Sequence, residues 1–499
     1  MLNSYSCLVE IKQGKIMGFT FDGIHSWRGI PYATPPTGQL RWRAPRPPEP
    51  WENIRDSTLF SFASCQDSEY YKKYNGEPGI FSEDCLYLNI WSPAVRGHSL
   101  PVMVWLHGGS YTSGSGSLPT YDGYALARRN VVVVTINYRL GYLGFFAHPA
   151  LEDEDCVHNF ALLDQISALQ WVRENISEFG GDPTNITLFG GSAGARSVMS
   201  LMASPLAAGL FHKAIIQSGY TLPDTPSQKA LEHGIGLAEK FGLPNATAEQ
   251  LRALPPEIFS SLNGIPGNSP TPISGDSVLP VPTLDVFLAG KHQRMPVLIG
   301  SNSDEASVMA GLGIDFSMLI KNIRHESRFG FELIKLLYSG VKGDVELGRV
   351  VCRDMAFTTL GYIVMKAQQQ VNEPCWRYWF DYVTEAEHEI YPRGTSHGDE
   401  LPYIFDNLRK TVPPLTCINK RDSLFAGYVA DYWVNFARNA SRSCNVLYGP
   451  VKWPACIRGR DRVLRIGIDK YAGFKVEKRF MHARLALFKK VMKKHVKLS

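Results

Sequence analysis

One pentapeptide constrains this chain more than any other stretch: Gly190-Gly191-Ser192-Ala193-Gly194. It follows the run Ile186-Thr187-Leu188-Phe189 and precedes small and apolar residues from Ala195 to Met202. A strand, a Gly-x-Ser-x-Gly turn and a helix together describe a nucleophile elbow. Such a turn is tight enough to strain the serine backbone, and the flanking glycines leave room for neighbouring strand and helix. The helix N-terminus points at the serine oxygen and favours developing negative charge. The chemistry this arrangement serves is hydrolysis through a serine ester.

A second motif supports the first. His107-Gly108-Gly109-Ser110 closes the apolar run Val102-Met103-Val104-Trp105-Leu106. Two glycines after a buried strand let backbone N–H groups turn inward uncovered. Acyl transfer needs such donors, because a carbonyl oxygen gains negative charge in the transition state. The expected hole combines amides of this loop with the amide of Ala193, the residue after the serine.

The rest of the chain fits an enzyme built on one sheet. Val102–His107, Val131–Tyr138, Ile186–Ser192, Ala214–Gly219 and Pro296–Asn302 read as apolar strands. Val131 to Ile136 is apolar on both alternating faces, apart from Thr135, which suits a central strand covered on both sides. Leu162, Ile166, Leu169, Val172 and Ile176 recur at helical spacing between two of these strands. Strands alternating with helices predict an α/β fold, with a mostly parallel central sheet covered by helices on both faces. Residues 18–50, rich in Gly, Pro, Arg and Trp, read as irregular. Trp376–Tyr382 reads as the final strand, before a loop carrying His397, and a helix is expected near Asp422–Arg438. Residues 1–499 are expected to form a single domain. Helical insertions near 220–290 and 310–370 would act as caps.

Composition excludes several alternatives. A net charge of +5 on 499 residues gives no argument for nucleic acid as a partner. No apolar stretch is long enough to predict a transmembrane anchor. The N-terminus lacks the basic and apolar regions of a signal peptide. A cytoplasmic chain is therefore expected, or a secreted one whose leader has been removed. No cluster with metal-ligand spacing stands out, and no metal or cofactor is expected. Asn-x-Ser/Thr sites at Asn175, Asn185, Asn245 and Asn439 matter only in a secretory compartment. Basic residues from Lys478 to Lys497, among apolar Phe480, Leu487 and Val491, suggest a terminal helix with one solvated face.

The ordered motifs resemble the type-B carboxylesterases, the family of the cholinesterases and their bacterial and fungal relatives, on the α/β-hydrolase fold. The match runs through Arg28-Gly29-Ile30-Pro31-Tyr32-Ala33, then Glu83-Asp84-Cys85-Leu86-Tyr87-Leu88-Asn89-Ile90-Trp91. It continues through Asn137-Tyr138-Arg139-Leu140-Gly141, Phe179-Gly180-Gly181-Asp182-Pro183, Gln217-Ser218-Gly219 and Trp433-Val434-Asn435-Phe436-Ala437. Thirteen histidines and many carboxylates leave the partners of Ser192 open on spacing alone. The resemblance implies Glu305, within Gly300-Ser301-Asn302-Ser303-Asp304-Glu305, as the acid, with Asp304 as its competitor. It implies His397, opening His397-Gly398-Asp399-Glu400, as the base. The order serine, acid, histidine is that of the fold. The oxyanion donors would be the amides of Gly109, Ser110 and Ala193, although many relatives have glycine where Ser110 stands.

Of the nine cysteines, Cys65 and Cys85 flank a polar loop and are the expected disulfide pair, with free buried thiols the alternative that a cytosolic chain favours. The resemblance also implies ion pairs Arg41–Glu83 and Arg139–Asp164 with a structural role. Its implied activity is hydrolysis of a small, largely apolar carboxylic ester by a serine carboxylesterase. Amide, thioester or lactone substrates suit the same chemistry. Non-catalytic adhesion proteins of the family have lost triad residues, whereas all three positions stand here. Two departures argue against choline esters. Cholinesterases carry a Trp in the loop between the matched cysteines, and this loop has Tyr70, Tyr71 and Tyr74 but no Trp. They also place Glu immediately before the serine, where this chain has Gly191.

Overall fold

A computed structural model describes residues 5–67, 78–94, 99–151, 157–262, 270–411, 415 and 417–495. Its centre is a 12-stranded sheet. The long strands are β1 (Tyr5–Ile11), β2 (Gly14–Phe21), β3 (Ile24–Pro31), β4 (Tyr87–Pro93), β5 (Leu100–Leu106), β6 (Val132–Ile136), β7 (Gly181–Gly191), β8 (Lys213–Gln217), β9 (Val297–Asn302), β10 (Cys375–Tyr382) and β11 (Arg462–Lys478). Their spatial order is β1-β2-β3-β4-β6-β5-β7-β8-β9-β10-β11. Pairing is antiparallel from β1 to β6 and parallel from β6 through β11.

The alternation of side chains along each strand builds two cores. Val102, Val104 and Leu106 of β5 join Val132, Val134, Ile136, Ile186 and Leu188 on one face. Helices α1 (Phe160–Asn175), α2 (Ala193–Ala203) and α3 (Thr359–Gln370) cover that face through residues such as Leu169, Val198 and Ile363. Met103 and Trp105 point the other way, to Val133, Phe189, Leu298 and Trp376. There α4 (Lys420–Asn439) packs Phe425, Val429, Trp433 and Phe436. All five residues of β6 are buried, as expected of a strand covered on both sides. The two expected helices form within a few residues of their predicted bounds, and α4 begins with a capping box of Asn419 and Asp422.

The structure differs from the expectation in four places. The segment 18–50 is irregular only after Pro31, because β2 and β3 pair antiparallel before it. Gly18 sits where backbones approach: a Cβ there would lie 2.3 Å from the Ser26 carbonyl oxygen. Trp376–Tyr382 is not the last strand. β11 follows and pairs parallel to β10, with a register shift and positive φ at Gly467, Asp469 and Lys470 that break its alternating pattern. The helical segment 310–370 ends in α3, which packs on the sheet instead of standing above it.

The fourth difference is the disulfide. Cys65 and Cys85 are free, buried thiols. Cys85 belongs to the main core, whereas Cys65 packs with Trp42, Tyr142 and Phe146 in a separate cluster. Burial pushes the Cys65 thiol up to about 12 and raises Cys85 as well, so neither is a ready nucleophile. Tyr70, Tyr71 and Tyr74 lie outside the described residues.

Both inherited ion pairs form. Arg41 holds Glu83 through two bonds of 2.6 Å, and Arg139 holds Asp164 at 2.7 and 2.8 Å. Arg139 and Asp164 are almost wholly buried, so the pair fixes the register between β6 and α1. The terminal helix α5 (His482–His495) anchors Leu485 and Phe488 and leaves Val491 exposed. Among the described residues no helix is long and apolar enough to cross a membrane.

Candidate active site

Parallel strands deliver their following loops to one edge of the sheet, where α/β enzymes place their chemistry. Loops after β5, β7, β9 and β10 meet there.

Ser192 stands between the last residue of β7 and the first of α2, with φ 54° and ψ −119°. A non-glycine residue in that region costs about 1–3 kcal/mol and persists only where its surroundings enforce it. Here the Ser192 amide donates to the Gln217 carbonyl at 2.9 Å, and the Arg196 amide donates back to the Ser192 carbonyl at 3.0 Å. The glycines of the pentapeptide have different reasons to be there. A Cβ at Gly194 would sit 2.0 Å from the Leu106 carbonyl oxygen, and one at Gly190 would sit 2.6 Å from the Gly194 backbone. These two let α2 lie directly on the sheet.

The loop after β5 folds against this elbow. A Cβ at Gly108 would lie 3.1 Å from that of Ser192. Gly109, Ser110 and Tyr111 all have positive φ, at 108°, 55° and 61°. Only glycine fits at 109, where a Cβ would lie 2.1 Å from the Ser113 carbonyl oxygen. The amides of Gly109, Ser110 and Ala193 donate to no acceptor among the described residues. His107 beneath them is structural. It is buried, stacks on Tyr138 at 4.4 Å, and burial pushes its imidazole down to about 4.

His397 is brought to the serine by the loop after β10. Its Nε2 lies 2.9 Å from Ser192 Oγ, and its Nδ1 lies 2.5 Å from Glu305 Oε2. Glu305 is fully buried, and its other oxygen accepts the Asn302 amide at 2.7 Å. The competitor Asp304 turns away and pairs with Arg349 at 2.6 Å. The two loops are laced together. Asp304 N–H donates to the Thr395 carbonyl, Thr395 N–H to Ser303 Oγ, and His397 N–H to Ser307 Oγ, each at 2.9 Å.

Three neighbours escaped the sequence reading. Asn302 donates from Nδ2 to the Ser396 carbonyl at 2.8 Å and to Glu400 Oε2 at 2.5 Å. Glu400 is buried directly behind the pair. Both residues lie inside motifs quoted for their neighbours, and nothing in the local pattern marks them. Phe357 comes from the far segment 310–370. It sits on a π-helical turn, Asp354–Thr358, whose Met355 and Ala356 carbonyls accept bonds from Thr221. Such turns often mark functional positions. The Phe357 ring stands 5.3 Å from the His397 imidazole.

The electrostatics favour a charged imidazole once a proton arrives. Burial alone lowers the basicity of His397. The Glu305 charge and its hydrogen bond are the largest influences against burial, and the pKa stands above the usual 6.5.

A family model described as the Carboxylesterase family matches residues 6–340 and 346–487. The chain is 36% identical over 468 residues to a para-nitrobenzyl esterase of Bacillus subtilis (strain 168), covering 90% of this chain and 92% of that protein. It is 38% identical over 409 residues to a fumonisin B1 esterase of Sphingopyxis macrogoltabida, covering 80% and 74%. A solved PNB esterase superposes with a TM-score of 0.83 at 31% identity, over 96% of this chain and 99% of that one. A Geobacillus stearothermophilus carboxylesterase superposes at 0.81 with 32% identity, over 96% and 99%.

Proposed function

This chain belongs to the carboxylesterase family, and we propose that Ser192 is its nucleophile, His397 its general base and Glu305 the carboxylate behind that base. The protein is a carboxylic ester hydrolase of α/β-hydrolase fold. The observation that carries the residue roles is the unbroken chain of contacts, 2.9 Å from Ser192 Oγ to His397 and 2.5 Å from His397 to Glu305.

In this mechanism His397 Nε2 takes the serine proton as Oγ attacks the ester carbonyl carbon. Glu305 keeps the other ring nitrogen protonated and stabilises the imidazolium that forms. The carbonyl oxygen becomes an oxyanion and meets the free amides of Gly109, Ser110 and Ala193. Removing one such donor typically costs about 10²–10³ in turnover. His397 returns the proton to the leaving alcohol. Water then attacks the acyl-enzyme with His397 again as base, and the acid leaves.

We assign small, largely apolar esters as the substrate class. Phe357 beside His397, with Tyr220 packed 6.2 Å from it, makes an aromatic wall at the reacting centre. A choline ester is disfavoured at position 191. A Cβ there would meet Trp105 at 3.2 Å and Leu401 at 3.4 Å, which leaves a glutamate little space. The segments 220–290 and 310–370, the latter short of α3, are proposed to cap the site, with Phe357 as the latter's contribution.

Two expectations follow. The base must be neutral to act, so kcat/KM falls as pH drops through the His397 pKa. Because Glu305 raises that pKa, the acid limb is expected above pH 6.5. A limb centred below 6.5 would contradict the geometry. The direct test of function is a fluorophosphonate label together with p-nitrophenyl acetate, butyrate and octanoate. A stoichiometric adduct on the Ser192 peptide, with a burst of p-nitrophenol, is expected. An adduct elsewhere, or no turnover of any of the three esters, would refute the assignment.

A further inference from the structure

Behind the Glu305–His397 pair lies a second buried carboxyl whose hydrogen bonding does not close as a carboxylate. Glu305 has partners for its charge: the Asn302 amide on Oε1 and His397 Nδ1 on Oε2. Glu400 receives Asn302 Nδ2 on Oε2, and its own main-chain N–H also bears on the carboxyl. Its Oε1 is buried without a donor among the described residues, and so is Asn302 Oδ1. Two orphaned acceptors therefore belong to two groups already joined by one bond. Flipping the Asn302 amide does not help, because its Nδ2 serves two acceptors, Glu400 Oε2 and the Ser396 carbonyl. What the pair lacks is one hydrogen.

We propose that Glu400 holds a proton on Oε1 in the working enzyme, forms a carboxylic acid–amide pair with Asn302, and so acts as a positioning residue for Glu305 and His397. This rests on the triad roles given above. Asn302 is the hub. Its main-chain N–H holds Glu305, and its side chain holds both Glu400 and the carbonyl of Ser396, immediately before His397. A paired Asn302 cannot turn, so acid and base stay at their bonding distance.

The surroundings agree. The titratable groups that bear on Glu400 are Glu305 from the loop after β9, His397 on its own loop, and Tyr378 from β10, whose hydroxyl is also unpartnered. Among the described residues the groups bearing on the Glu400 carboxyl include no lysine or arginine. Two carboxylates in one dry site cannot both ionise cheaply. Glu305 has a partner on each oxygen, whereas Oε1 of Glu400 has none among the described residues. Burial, then the Glu305 charge, pushes the Glu400 carboxyl up to about 7.

Glu400→Gln tests this, since glutamine is a neutral near-isostere that can make both bonds to Asn302. Three results are expected. Infrared difference spectra between wild type and Glu400→Gln, taken at a pH above the acid limb where His397 is neutral, show the C=O stretch of a protonated carboxyl, lost in the variant. The variant keeps most of kcat, and its acid limb of kcat/KM stays where it is in wild type. Glu400→Leu loses roughly 10²-fold in kcat with KM little changed, as expected when catalytic groups lose their positions. Absence of the infrared band overturns the proposal. So does an acid limb displaced to lower pH in Glu400→Gln, because removing a negative charge beside the imidazole lowers the His397 pKa. The infrared result needs no substrate. A wild type that fails to hydrolyse esters would sink the triad reading while leaving the protonation of Glu400 decided on its own measurement.

Discussion

Ser192→Ala is expected to lower kcat on p-nitrophenyl esters by about 10⁶-fold, with thermal stability close to wild type. The large loss follows from Oγ being the atom that forms the acyl bond. His397 Nε2 points at it from 2.9 Å and has no other acceptor or nucleophile to serve. Stability is spared because alanine keeps the Cβ and meets the same backbone demand at φ 54°. The strain at this turn is enforced by Gly190 and Gly194, which the substitution leaves alone. A residual rate of about 10³–10⁴ over water would persist from the oxyanion amides and from binding. Burst and steady-state kinetics with Tm on the same preparation check both halves. Turnover surviving within tenfold of wild type would place the nucleophile elsewhere.

Glu305→Gln is expected to cost about 10⁴-fold in kcat, whereas Asp304→Asn leaves kcat per folded molecule near wild type. The asymmetry comes from what each carboxyl touches. Glu305 accepts from the Asn302 amide and from His397 Nδ1. A glutamine would keep its carbonyl on the Asn302 amide and offer N–H to Nδ1. That fixes the wrong tautomer, with hydrogen on the nitrogen that should receive the serine proton. Asp304 instead pairs with Arg349. Its loss leaves a largely buried guanidinium without its partner, so the cost falls on stability. Measuring kcat and Tm for both variants separates the roles. Equal kcat losses would mean that the two carboxyls act together, and a larger loss at Asp304 would reverse the assignment.

The sequence carried the elbow and the oxyanion loop almost completely. Both are local. Gly190, Gly194 and Gly109 stand where a Cβ would strike backbone one loop or one turn away, so the motif is the steric requirement written out in residues. The parallel strands were legible for a related reason, since a strand buried on both faces must be apolar throughout, as β6 is. Partly exposed strands were not. β2, β3 and β11 are partly exposed, and their pairing partners set them more than their own pattern does. The Cys65–Cys85 expectation failed because sequence spacing says nothing about which hydrophobic cluster each thiol enters.

The order of nucleophile, acid and base along the chain was present in one dimension, together with the backbone geometry that each glycine permits. The choice of Glu305 over Asp304, the aromatic wall of Phe357 and the Glu400–Asn302 pair were not. Adjacent residues on a turn point in different directions, and the direction is set by what waits there: Arg349 for Asp304, His397 for Glu305. Phe357 reaches the site because a π-helical turn in a distant segment aims it there. The protonation of Glu400 depends on a buried count of donors and acceptors that exists only after the loops following β9 and β10 have met. Local sterics are a property of consecutive residues, whereas orientation, burial and charge balance are properties of groups that meet only in the folded chain.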